Sequence, residues 1–557
     1  MGGAIELRPA RAAGRRSGVV RQVHSGTGRI YDALVTWRAM VRRHWPFAIL
    51  LAGGVALRAA ATIAYRPALV YIDTPRYLGS DQGGLDPLGY TYLLLRPVLG
   101  VGGGLTGVAV AQHALGLAMG AALYALAIRC GTGRWVAALA AAPVLLDAYQ
   151  VQAEQTIMPD VLFEALVVAA MTVLLWPRPS VAPDEDSSPR AALARVACGA
   201  LLLGVSATVR QVGVLFVVPL LVYALTAAPG WPSKAWRNRA IRALAALAVF
   251  AVPVIGYMAF SQAVLGTGFR LSNMNNAYLY GRLASAADCA TLKVPGYARP
   301  LCPAPSTAAK LGVDGLSTDP ASAVFSYRPP KGTSRSAATR SFDQAVLTQQ
   351  PLRVAKGIAG DAVKVFALTR DTDPGDPPID RWQFQEAYPV YPAADKSVLG
   401  GNDRPQVTKP LASALRRYQL HGGYTPGLLL LAFLIAGAAG YVASRRRHPA
   451  LARGALLATG LALTAAVGAD LYEFSWRYQL PLLVTLPLAG ALGAVASLGL
   501  AVTRRSAGGG TMNRCATTQT SPRSEPSPAA LSTPTSGCGS AETRSSAVTG
   551  PGAPTPS

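Results

Sequence analysis

Residues 46–65 read PFAILLAGGVALRAAATIAY, and this stretch decides the fold. A helix of that length rises about 30 Å, the thickness of a hydrocarbon core. Only one charge, Arg58, interrupts the run. Arg58 either snorkels to the interface or pairs with an acid inside the protein. Comparable apolar runs recur near 104–128, 135–149, 159–176, 192–209, 211–228, 241–263, 425–443, 451–470 and 479–502. The expectation is an all-α polytopic membrane protein with about ten transmembrane helices. The 135–149 run is short, and 192–228 divides in more than one way around Arg210.

Composition agrees. The chain is 51% hydrophobic and 14% charged, well under the roughly 25% charged residues of a soluble protein. Its net charge of +24 would point to nucleic acid in a soluble chain, but the basic residues bracket the apolar runs and no nucleic-acid motif is present. One set of short loops carries Arg129 and Arg134; Arg178, Arg190 and Arg195; Lys234, Arg237, Arg239 and Arg242; and Arg445, Arg446, Arg447 and Arg453. The opposite set is nearly free of Lys and Arg. By the positive-inside rule both termini are expected in the cytoplasm of a cell-membrane protein, with 66–102, 150–158, 264–424 and 470–478 outside.

Five segments follow. Residues 1–44 form a basic cytoplasmic arm, in which Ile30, Leu34, Trp37 and Val41 recur at helical spacing. They fit an amphipathic helix on the inner leaflet, the alternative being a solvated arm. A long polar stretch precedes the first span, so an uncleaved anchor is expected. Residues 45–263 form a transmembrane module that includes the first outer loop, 66–102. Residues 264–424 form an extracytoplasmic loop domain of α+β or irregular character, with a helix over about 343–369. Residues 425–503 hold the C-terminal transmembrane helices. Residues 504–557, rich in Ser, Thr, Pro and Gly, form a disordered cytoplasmic tail. Cysteines are few and none has zinc spacing. Cys289 and Cys302 lie close together in the outer segment, where a disulfide is expected to form.

Ionisable groups at a membrane are costly and warrant a functional hypothesis. Four groups of them fall on the predicted outer side. They are Asp73, Arg76, Asp81 and Asp86; Asp147, Glu154 and Asp160; Arg210; and Asp470, Glu473, Trp476, Arg477 and Tyr478. A carboxylate there fits a general base, and arginines fit bidentate contact with a phosphate. Each has a plain alternative. Asp73 and Asp160 also fit helix caps, Arg76 a solvated loop residue, Arg210 and Arg477 snorkelling side chains, and Trp476 and Tyr478 an interfacial aromatic belt. Glu154 reads as a loop residue and His113 as a hydrogen-bonded packing residue.

Asp73-Thr74-Pro75-Arg76-Tyr77 resembles the Asp-Glu-x-Arg-Tyr motif of lipid-linked sugar transferases of the GT-C fold, in the branch of protein mannosyltransferases and lipid A aminoarabinose transferases. Asp86-Pro87-Leu88-Gly89-Tyr90 is similar to that family's Pro-containing segment, and Met158-Pro159-Asp160-Val161-Leu162-Phe163 to its second acidic motif. Val209-Arg210-Gln211 and Trp476-Arg477-Tyr478-Gln479-Leu480-Pro481 are similar to its later span-edge arginine positions. The likeness covers the first half of the chain and the last span. It implies a membrane glycosyltransferase that moves a hexose or pentose from a polyprenyl-phosphate donor to an extracytoplasmic glycan, lipid or protein. Asp73 would be the base, with Asp160 beside it; Arg76, Tyr77, Arg210, Arg477 and Tyr478 would bind substrate. Two departures stand out. Thr74 replaces the family's Glu, and Asp86 stands where aminoarabinose transferases carry a basic residue. Among cofactors only a divalent cation is a candidate, and Thr74 removes one of the adjacent carboxylates that would hold it. Two rivals remain. One is a transporter or flippase of lipid-linked saccharides, for which the sequence lacks the expected internal repeat. The other is an inactive membrane scaffold.

Overall fold

The structure is a computed structural model that describes residues 41–79, 86–176, 189–226, 234–272, 276–389 and 405–498. The basic arm up to residue 40, Asp81 and the tail lie outside the described residues. Seven helices are long and apolar enough to cross a membrane: Trp45–Ala64, Gly104–Arg129, Arg190–Val209, Trp236–Leu265, Gly427–Ser444, Pro449–Asp470 and Trp476–Ser497. An eighth span arises if the bent pair Arg134–Leu146 and Ala148–Gln155, which meet at 47°, counts as one. The sequence reading of about ten was higher because several apolar runs form shorter or broken helices. Asp160–Leu175 has 16 residues, and the run after Arg210 divides into a 3-10 turn, Gln211–Phe216, and a nine-residue helix, Val217–Leu225. A straight crossing takes about 20 residues.

The helices pack where side chains are small. A Cβ on Gly493 would come within 2.8 Å of the Gly437 Cα, so the Gly427–Ser444 and Leu482–Leu498 helices touch through backbone, as small residues allow in a membrane. At the bend, Asp147 is extended and accepts a hydrogen bond from the Tyr149 amide at 3.0 Å, capping the Ala148–Gln155 helix. It also accepts from Arg370 (2.9 Å) and from the Thr425 amide (2.7 Å). This one carboxylate therefore fastens the 264–424 segment to the membrane helices and has a structural part.

Arg58 pairs with an acid. Its Nε and Nη2 donate to the two Glu154 oxygens at 2.7 and 2.6 Å, and its remaining donors reach the carbonyls of Gly54, Val144 and Leu145. Glu154 is fully buried and also meets His113 Nδ1 at 2.9 Å. It is the centre of an interior polar knot, contrary to its reading as a loop residue. The knot satisfies the carbonyls of Val144 and Leu145, which the last turn of the Arg134–Leu146 helix leaves without an intrahelical donor.

The outer segment is helical. The helix expected over 343–369 is two helices, Arg335–Gln349 and Pro351–Val363, because Pro351 cannot continue the first and suits the opening turn of the second. Tyr280, Leu301, Phe342 and Val346 centre its own apolar cluster. Cys289 and Cys302 are joined as a disulfide, with Cα atoms 5.8 Å apart. The segment returns to the first span through a two-residue antiparallel pairing of Tyr65–Arg66 with Gln406–Val407.

Arg58→Leu should lower unfolding stability by about 3–5 kcal/mol, because it strands a buried carboxylate. The double variant Arg58→Leu/Glu154→Leu should recover part of that loss. Denaturant unfolding in matched detergent checks both; a single variant within 0.5 kcal/mol of the parent would contradict the clamp.

Candidate active site

The site grows from three chain breaks. The first outer loop leaves the first span and is docked by a parallel bridge, Leu69 to Thr156. Thr74 completes the docking. Its hydroxyl accepts from the Tyr71 amide at 2.8 Å and donates to the Ile157 carbonyl at 3.1 Å, and the residue is fully buried. An ionised carboxylate could accept the first bond but could not donate the second, so Thr74 suits this position where an acidic residue would not. The second break is at Arg210, extended between a span and a 3-10 turn. The third is the 3-10 turn Trp476–Gln479, which carries Arg477.

These breaks bring four of the residues read from the sequence into one ion network. Asp160, in the first turn of its helix, is 2% exposed. Its carboxylate accepts from Arg210 Nη1 and from Arg477 Nε at 3.0 and 3.1 Å. Arg477 Nη1 then reaches Asp73 Oδ2 at 3.2 Å. On the other flank Arg210 Nε lies 3.7 Å from Asp86 Oδ2, and Asp86 Oδ1 accepts from the Gln211 amide at 3.1 Å. Gly89 permits this flank: a Cβ there would come 2.7 Å from the Thr208 carbonyl carbon.

Exposure sorts the roles. Arg477 and Arg210 are 3% and 8% exposed, whereas the Asp73 side chain is 47% exposed. Asp73 is thus the carboxylate of the Asp73–Arg477–Asp160–Arg210 chain that solvent can reach. Asp160 is buried against the two arginines. Tyr478 lies under both, with its ring 4.8 Å from the Arg210 guanidinium and 5.3 Å from that of Arg477. Arg76 and Tyr77 stand apart. Arg76 donates to the Asp86 carbonyl, and fully buried Tyr77 packs edge-on to Tyr90 at 5.5 Å.

Beside the network opens a cleft holding ≈ 680 Å³ of empty space, its mouth included. Asp86, Arg210, Tyr278, Glu473 and Tyr478 form its polar wall, over apolar residues such as Phe163 and Ala465. Burial, and then the charge and hydrogen bond of neighbouring Asp314, push Glu473 up to about 8. Among the described residues no group of three or more His, Cys, Asp or Glu is placed to hold a metal ion. Asp73, Asp86 and Asp160 instead face guanidinium groups, so this donor set does not fit a resident divalent cation.

Sequence reasoning missed Trp382 and Tyr71, whose rings lie 5.2 and 5.7 Å from the Arg477 guanidinium. Trp382 comes from the outer segment, and no local pattern ties it to Arg477. Tyr71, two residues before Asp73, carried a signal in its nearness to the motif.

The sequence matches no protein-family description and no curated protein at the level of significance required. Solved structures give distant likenesses. The archaeal oligosaccharyltransferase from Archaeoglobus fulgidus, in complex with an inhibitory peptide and a dolichol-phosphate, is 12% identical with a TM-score of 0.39, over 81% of this chain and 50% of that one. ArnT from Cupriavidus metallidurans, in the apo state, is 14% identical with a TM-score of 0.32, over 84% and 78%. The S. cerevisiae protein O-mannosyltransferase complex, bound to its sugar donor, is 16% identical with a TM-score of 0.28, over 40% and 33%. This chain therefore spans about a third of the mannosyltransferase chain and half of the oligosaccharyltransferase. All three likenesses are to the class of integral membrane proteins named by the motif resemblance, but at TM-scores under 0.5 they carry no argument about activity.

Asp160→Asn should cost about 3–5 kcal/mol of stability, since two buried guanidiniums lose their shared counter-charge. Asp86→Asn should cost under about 1 kcal/mol, because its ion pair is looser and more exposed. Thermal unfolding of the two variants side by side checks the order; equal losses would contradict it.

Proposed function

We propose that the protein is a glycosyltransferase that moves a sugar from a polyprenyl-phosphate donor to an acceptor outside the cytoplasm. The observation that carries this reading is the pairing of one accessible carboxylate, Asp73, with buried Arg477 at 3.2 Å, in a network whose other arginine, Arg210, lines the cleft. A lipid phosphate needs cations where it leaves, and an acceptor hydroxyl needs a base where it attacks.

In this reading the acceptor oxygen attacks the anomeric carbon while Asp73 takes its proton. The bond between that carbon and the phosphate oxygen breaks, and polyprenyl phosphate departs with the electron pair. A single in-line displacement inverts the anomeric centre. Arg210 and Arg477 neutralise the charge that grows on the phosphate, and Asp160 holds both in place before substrate arrives, so little reorganisation is needed during the reaction. Arg76 fixes the Asp86 backbone and so keeps the far wall of the site in position. The chain would sit in the cell membrane with both termini inside and 264–424 outside, as the loop charges direct.

Asp73→Asn should lower transfer by about 10²–10⁴-fold while leaving stability within about 0.5 kcal/mol. Transfer from a polyprenyl-phosphate sugar by purified variants of matched thermal stability measures this, and parental rates would remove Asp73 as the base. Reporter fusions near residue 330 and in the tail should give opposite signals across the membrane; signals on the same side would overturn the proposed topology.

A further inference from the structure

A second, smaller cleft opens where the first outer loop, the Ala148–Gln155 helix and the outer segment meet. It holds ≈ 320 Å³ of empty space, its mouth included, and its lining includes Tyr71, Gln152, Thr156, Arg381, Trp382 and Gln383. It shares no lining residue with the cleft beside Arg210. Arg477 touches the lining of both. The Tyr478 ring of the larger cleft lies 5.3 Å from its guanidinium, and the Trp382 and Tyr71 rings of the smaller one lie 5.2 and 5.7 Å away. The same guanidinium reaches Asp73 at 3.2 Å. Both clefts therefore border the side chain that holds the accessible carboxylate.

The smaller cleft has unmet polar capacity in an aromatic wall. Trp382 packs on Tyr71 with ring centroids 4.5 Å apart. Trp382 Nε1, a donor, and Gln152 Oε1, an acceptor, are both buried and have no hydrogen-bond partner among the described residues. Each residue is only 5% exposed, and buried polar groups are normally satisfied. The amide nitrogens of Gln152 and Gln383 make long bonds, each of 3.4 Å, to the Arg381 carbonyl and the Tyr149 hydroxyl. Of the described lining residues only Arg381 is charged.

We propose that this smaller cleft is the acceptor subsite, and that the acceptor it takes is the end of a glycan. The inference rests on the donor class proposed above, which fills the cleft beside Arg210. A sugar ring is apolar on its faces and hydroxylated around its edge, so it suits aromatic walls with a few placed polar groups. A hydroxyl both donates and accepts. The edge of one ring can thus serve Gln152 Oε1 and Trp382 Nε1 while a further hydroxyl goes to Asp73. A serine or threonine side chain brings one hydroxyl, which Asp73 itself requires, and leaves the other two groups unmet. An amine is disfavoured, because Arg381 and Arg477 repel its charge and no lining carboxylate offsets them. Trp382 comes from the outer segment, so that segment takes part in choosing the acceptor.

The test follows release of polyprenyl phosphate from a polyprenyl-phosphate hexose by the full-length protein in nanodiscs. Three acceptors are offered separately: lipid-free, protease-digested envelope glycan; an envelope lipid extract; and an acetylated peptide containing serine and threonine. Sugar should pass to the glycan. Gln152→Met, which keeps the side-chain length and removes the amide, should raise the glycan concentration for half-maximal rate about tenfold, the worth of one hydrogen bond. Trp382→Phe, which keeps a ring against Arg477 and removes the Nε1 donor, should do the same. Neither should shift the half-saturating concentration of the donor, a split that a misfolded variant would not give. Transfer to the peptide or the lipid extract alone, parental glycan saturation in both variants, or a weakening toward the donor in place of the glycan would each overturn the inference and leave the Asp73 reading standing. If the parent releases no polyprenyl phosphate with any of the three acceptors, the donor class is wrong and the inference falls with it.

Discussion

One carboxylate between two buried guanidiniums organises this protein. Asp160 accepts from Arg210 and Arg477 where almost no water reaches. Burying either arginine alone would cost several kcal/mol. Sharing Asp160 makes the burial tolerable and fixes both cations against helix ends that come from distant parts of the chain. Their spare capacity points outward. Arg477 extends to half-exposed Asp73, and Arg210 toward Asp86 and the open cleft. The network is neither a surface ion pair nor a closed core bridge, but an electrostatic frame with one open side.

A second polar knot supports that frame from below. Arg58 and Glu154 tie the first span to the bend after the Arg134–Leu146 helix. Gln112 continues the tie. It donates to the carbonyls of Glu154 and Thr156 at 2.8 Å and accepts from the Tyr90 hydroxyl at 2.8 Å. Thr156 in turn bridges to the outer loop that carries Asp73. The position of the accessible carboxylate is therefore set by buried hydrogen bonds between the helices, where an unmade bond is expensive.

Much of this was legible in local composition. The apolar runs required a helical membrane protein, because span length depends only on consecutive residues. Charge alternation between loops put Asp73, Asp160, Arg210 and Arg477 on one predicted side, and the structure joins these four in one network. The partners within the network were not legible, because they depend on how each helix is rotated about its axis. For Arg76 and Tyr77, read as substrate contacts, the structure gives an Arg76 bond to the Asp86 carbonyl and a Tyr77 ring packed on Tyr90, neither of which a local pattern could supply. The span count ran high where a local break, at Asp147 or Arg210, turned an apolar run into shorter helices. Trp382 was out of reach, since its neighbour Arg477 lies far along the chain and no spacing rule relates them.

The central claim is that this site cleaves the bond between a sugar and a lipid phosphate. The most direct measurement incubates the purified protein, in nanodiscs, with a polyprenyl-phosphate sugar and an extract of envelope acceptors, and follows the lipid by mass spectrometry. The account predicts free polyprenyl phosphate appearing in step with loss of the sugar-linked lipid and gain of sugar on an acceptor. Intact donor that is never cleaved, but crosses between leaflets when the protein is placed in sealed vesicles, would contradict it and identify a transporter instead.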